Sequence, residues 1–162
     1  MSDDEREKRH REVSSSGSSS NFGGKYFADC AIKNDDSRRH LSWGLNLEGH
    51  CKNTSCRAYG QSERSIFGWG FRNGGKFNLF ENGHECKCPL CGEYMQAITC
   101  GFFNTQWLIR GRRITDPSKP LEDFRNPKYG WNCVLDNEYE HPKETFKIVP
   151  WGEDFIIEVK SL

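Results

Sequence analysis

Cys88-Pro89-Leu90-Cys91-Gly92 places two thiols two residues apart, with a glycine directly after them. Two thiolates at this spacing chelate one tetrahedral ion from a tight turn. The glycine permits a positive φ, which lets backbone N–H groups point at the sulfurs. Cys51-Lys52-Asn53-Thr54-Ser55-Cys56 supplies a second pair with four intervening residues, within the two-to-four range of structural zinc sites. Residues 57–87 separate the two pairs, enough chain for a hairpin to bring them together. Four thiolates at about 2.3 Å close a tetrahedron and leave no position for water or substrate. The expected cofactor is therefore one structural Zn2+ ion on Cys51, Cys56, Cys88 and Cys91. The competing readings are a disulfide pair or buried free thiols. Structural zinc contributes on the order of 10–16 kcal/mol in small peptides, so such an ion would matter for folding.

The other cysteines have weaker patterns. His84 and Cys86 crowd the Cys88 pair, and both are possible extra ligands, but the Cys86–Cys88 spacing is too short for the usual chelate turn. Cys30, Cys100 and Cys133 have no close partner and read as packing thiols. His50 reads as a surface residue beside Cys51.

The chain must position this chemistry with few aliphatics. Of its 162 residues 35% are hydrophobic and 13% aromatic, eight are cysteine, and the formal net charge is zero. Large rings can supply core area that scarce aliphatics do not. A neutral total excludes a chain-wide basic surface of the kind that grips nucleic acid non-specifically. No stretch approaches the ~20 apolar residues of a membrane span, so no membrane partner is expected. MSDDEREKRHREV is charged from the start and lacks an apolar signal core, so a cytoplasmic or nuclear location is expected. Thiols stay reduced there, which favours metal over disulfides.

Residues 1–25 pair charge runs with the Ser14–Ser20 stretch and read as a disordered tail. Residues 26–162 read as a single, mainly β domain, a small zinc-stabilised sheet with a zinc-ribbon-like knuckle pair. Residues 43–47, 76–80 and 102–110 have strand character, and 111–115 reads as a hairpin partner to the last of these. Residues 116–130, with three prolines, read as a loop, and 145–149 with 155–159 as a closing hairpin.

From Gly44-Leu45-Asn46-Leu47-Glu48-Gly49-His50-Cys51 onward, the chain resembles a largely uncharacterised cysteine-rich family of eukaryotic proteins, seen in protists and fungi. The family motifs run GLxLEGxCxNxxCxAY, a Gly-rich strand ending in Phe, CPxC, TCxFxNCxW, and an apolar strand after a Trp. Here they fall at 44–59, 67–80, 88–91, 99–107 and 151–159. Some members look joined to ubiquitin-like modules, which implies an adaptor role near the ubiquitin system. The chain departs at Thr105, where the motif has a second cysteine; this favours an unpaired, core-facing Cys100.

The expected function is a non-enzymatic zinc-binding interaction module, most simply a protein-binding adaptor. Trp43, Trp69, Phe71 and Arg72 are candidate surface anchors, since aromatics beside arginine are typical of binding sites; the same rings could instead fill the core. A nucleic-acid-binding zinc ribbon is the alternative. It rests on a net charge of +3 over 57–76 and on Arg110, Arg112 and Arg113, against −4 over 136–162. A RING-type ubiquitin ligase needs eight ligands, and only four here have suitable spacing. Zinc-held thiolates are not free nucleophiles, no phosphate-binding loop is present, and His141 reads as solvated in an acidic loop, so neither an enzyme nor a small-molecule substrate is expected.

Overall fold

The computed structural model describes residues 25–27, 37–144 and 151–162. The described residues are mainly β and form one curled antiparallel sheet of eight strands. They are β1 (Lys25–Phe27), β2 (Gly44–Cys51), β3 (Ser65–Gly70), β4 (Lys76–Asn78), β5 (Met95–Arg113), β6 (Glu122–Asn126), β7 (Asn132–Glu140) and β8 (Ile156–Lys160).

β5 is the spine. Its 19 residues pair in turn with β2 through Met95–Phe103, β7 through Phe102–Trp107, β8 through Gln106–Arg110 and β6 through Ile109–Arg113. The sheet runs β1-β7-β5-β2-β3, with β6 and β8 joining the second half of β5 and β4 pairing with β8. Residues 111–113 thus continue the strand and are not its hairpin partner. The partner is β6, inside the stretch expected to be loop. Residues 79 and 80 also leave the expected strand, because Asn78 caps a helical turn over Leu79–Asn82, its side-chain oxygen accepting from the Phe80 and Glu81 N–H groups.

Alternation along β2 explains the packing. Leu45 and Leu47 enter the main core with Phe77, Phe102, Trp107, Ile109, Phe155 and Ile157. Phe102 and Trp107 stack at 4.1 Å. Asn46 and Glu48 point to the opposite face, where the curl of the sheet buries them as well. Each fully buried large side chain contributes about 1.5–3 kcal/mol, and six rings share this core with six aliphatic residues. Thr105 is buried and donates to the Lys160 carbonyl at 2.9 Å, fastening β5 to the end of β8. Of the tail expected over 1–25, residues 1–24 lie outside the described residues, as do Cys30 and the expected strand over 145–149; Lys25 begins β1.

Candidate metal centre

Strand pairing brings the two cysteine pairs together. Cys51 ends β2 opposite Met95, the first residue of β5. The chain entering β5 is a short hairpin: Met95 N–H donates to the Cys86 carbonyl at 3.0 Å, and Lys87 bridges Tyr94. Cys88 and Cys91 sit in its turn, so the register that sets Cys51 against Met95 also sets the first pair against the second.

The sulfurs of Cys51, Cys56, Cys88 and Cys91 lie within 4.8 Å of one another. Cys51 Sγ is 3.6 Å from Cys91 Sγ, and Cys56 Sγ is 3.9 Å from Cys88 Sγ. A tetrahedron with metal–sulfur bonds of about 2.3 Å has edges of about 3.8 Å, between these two values. A disulfide needs sulfurs about 2.05 Å apart, far closer than either pair.

Both turns aim backbone donors at sulfur. Asn53 N–H donates to Cys51 Sγ and Ala58 N–H to Cys56 Sγ, each at 3.4 Å. In the second turn Gly92 adopts φ +73° and donates to the Cys88 carbonyl at 2.9 Å, while Cys88 N–H donates to the Glu93 carbonyl at 2.8 Å. The Glu93 N–H beside Cys91 favours its thiolate and lowers its pKa to about 7; burial pushes the Cys51 thiol up to about 12. Four thiols facing one another supply sulfur donors and no cation of their own. This donor set fits a soft or borderline divalent ion. Around them Cys51, Ala58 and Cys88 form a small apolar cluster with Leu90, separate from the main core.

The two possible extra ligands do not join the group. Cys86 points into the main core, where burial pushes its pKa up to about 12, and His84 is exposed. Cys100 is also fully buried in that core, as expected, and its pKa is raised well above the usual thiol range by burial. Cys133 is exposed, not a packing thiol, because its position in β7 faces outward.

The candidate binding residues divide. Trp43 and Phe71 are exposed, at 54% and 37%. Trp69 is not a surface anchor: it is 3% exposed and meets Phe77 edge-to-face at 5.1 Å. It lies on β3, where alternation turns it inward, and not in a loop. The Arg72 guanidinium covers the rings of Phe67 and Trp69 at 5.3 and 5.8 Å. Arg110 pairs with Glu158 at 2.9 Å and Arg112 with Asp154 at 2.7 Å, while Arg113 lies 4.2 Å over Phe124.

A second polar cluster escaped the sequence reading. Glu48 is fully buried on β2; one carboxylate oxygen accepts from Tyr139 Oη at 2.5 Å and contacts His141 Nε2, and the other meets Arg64 Nε at 3.1 Å. Burial alone would raise its pKa, but His141, Tyr139 and Arg64 outweigh it and hold the carboxyl at about 2. Gly101 makes room for this arrangement, since a Cβ there would lie 2.0 Å from the Tyr139 ring. His141 is 4% exposed, contrary to the solvated histidine expected.

A notch of about 250 Å³ opens beside the second cysteine turn, lined by Leu79, Phe80, Gly83, His84, Tyr94, Gln96 and Ala97. Phe80 and Tyr94 are 43% and 46% exposed. Among the described residues no helix is long and apolar enough to cross a membrane. Comparison with known protein families, curated proteins and solved structures finds no match.

Proposed function

We propose that this chain is a non-enzymatic interaction module, stabilised by one structural zinc on Cys51, Cys56, Cys88 and Cys91, whose partner is a protein. The observation that carries the reading is the apolar notch formed against the second cysteine turn. The Cys88–Cys91 hairpin holds Tyr94 on one side of it, and the capped turn at Asn78 holds Phe80 on the other. Zinc would fix the hairpin and so the notch. Zinc among four thiolates has no open coordination position, which favours a structural over a catalytic role. Zinc thiolates also fit a reducing compartment, cytoplasm or nucleus. A place near the ubiquitin system rests on the family resemblance alone.

The rim names the chemistry of the partner. Glu81, Glu85 and Glu93 are exposed on the segments that form the notch, against one exposed Lys87. A peptide with one large apolar anchor flanked by Lys or Arg would complement it. Selection of a random peptide library against the zinc-loaded chain tests this. Enrichment of Leu, Phe or Trp flanked by basic residues, lost on Phe80→Glu, is the expected result. No enrichment, or an acidic consensus that survives Phe80→Glu, contradicts it.

A further inference from the structure

At the far end of β5 a larger groove, about 620 Å³, runs between β5, β6 and the following turn. Its lining carries the cations Arg110, Arg112, Arg125 and Lys128 and two carboxylates, Asp123 and Asp154. Arg110 and Arg125 face each other directly across the β5–β6 pair. Like charges so placed repel, and Arg110 shares its partner Glu158 with Lys76. Arg125 has no carboxylate partner among the described residues. Its guanidinium is held instead by the Pro127 and Gly130 carbonyls, at 2.9 and 2.8 Å, which fix its position without neutralising it. Lys128 lies beside the ring of Tyr129, 5.7 Å from its centroid, and Tyr129 is 81% exposed. Outside the lining of the groove, Lys160 sits 4.3 Å over Trp131.

We infer that this groove binds single-stranded nucleic acid, with Arg125 and Lys128 on phosphates and Tyr129 stacking on a base. The lining cations come from β5, from β6 and from the turn after it; Phe124 lines the groove among them, and Tyr129 stands exposed next to Lys128. Spread cations with interleaved rings are the arrangement that grips a single strand without reading its sequence. Asp123 and Asp154 disfavour phosphate beside them but can accept from base amino groups. The groove shares no lining residue with the notch, so the chain would join a protein to a nucleic acid.

Titration of the full chain against a labelled oligothymidine of about 12 nucleotides, a length within known single-strand site sizes, tests the inference. Two engaged cations give a log–log salt slope of about −1.4, and so about sevenfold weaker binding at 200 than at 50 mM salt. Tyr129→Ala should weaken binding by at least about fivefold, the lower end for loss of one stacked base. Lys128→Glu should weaken it and flatten the salt slope, whereas Phe80→Glu, in the notch, should leave it unchanged. Lys128 and Tyr129 are exposed, so both variants should fold. The inference is overturned by no saturable binding at 50 mM salt, or by binding indifferent to both groove variants. Displacement by poly-glutamate as readily as by unlabelled oligonucleotide also overturns it, pointing to an acidic protein in the groove.

Discussion

Strand β2 carries two polar clusters three residues apart, and they are built on opposite plans. At Glu48 the protein supplies every partner: Tyr139 and His141 from the β7 end of the chain and Arg64 from the segment entering β3 close around one carboxylate. At Cys51 the protein supplies four thiols of the same kind, gathered to tetrahedral spacing, and no opposite charge. A buried charge must be paired to be tolerated. The first cluster closes with protein groups, whereas the second, as thiolates, would close with a cation. The first is therefore a fastening between β2 and β7, and the second is placed so that it could hold a metal ion.

The largest effect should come from breaking the open cluster. Cys88→Ser, or a strong chelator, should forfeit the proposed zinc, worth on the order of 10 kcal/mol. Hydrogen exchange should show protection lost first over residues 51–59 and 86–95, whose small apolar cluster is separate from the main core. Loss of protection first in β5–β7 would reverse the assignment.

Breaking the closed cluster should cost less and depend on pH. Glu48 is held at about 2 against an ordinary value of 4.5, so its contribution is present above pH 4.5 and is lost as pH falls towards 2. The shift corresponds to about 3 kcal/mol. Denaturant titrations of wild type and Glu48→Gln should differ by about that amount at pH 7, and the difference should shrink below pH 4.5 and close only as pH falls to about 2. A constant difference across this range would mean that the carboxylate charge is not what the cluster uses.

Smaller effects sharpen the boundary between the clusters. Cys86→Ala, in the main core, should cost about 1 kcal/mol and leave metal content unchanged, and Cys133→Ser, exposed on β7, should stay within about 0.5 kcal/mol. Metal loss in Cys86→Ala, read by elemental analysis, would bring Cys86 into the centre.

The two clusters also differ in how far the sequence revealed them. Cys51, Cys56, Cys88 and Cys91 were legible because metal chelation imposes local spacing, and each pair closes within one turn. Glu48, Tyr139 and His141 were not, because a buried hydrogen-bonded cluster has no sequence spacing. Glu48 and His141 lie 93 residues apart and meet only through the β2–β5–β7 pairing. The same contrast runs through the strands. β2 and β8 show apolar alternation, but β6, Glu122-Asp123-Phe124-Arg125-Asn126, is a largely exposed strand with almost no apolar signal. It reads as loop for that reason, and the groove beside it stays hidden. Trp69 reads as exposed because the glycines around it suggest a loop, when they are strand positions in β3.

Metal content measured on the purified full chain, with Co2+ substitution to read the ligand field, tests the central claim most directly. One zinc per chain, replaceable by cobalt with the absorption of a tetrahedral four-thiolate site and lost in Cys88→Ser, is the predicted result. A folded chain with no bound metal and four freely reactive thiols at Cys51, Cys56, Cys88 and Cys91 would contradict it.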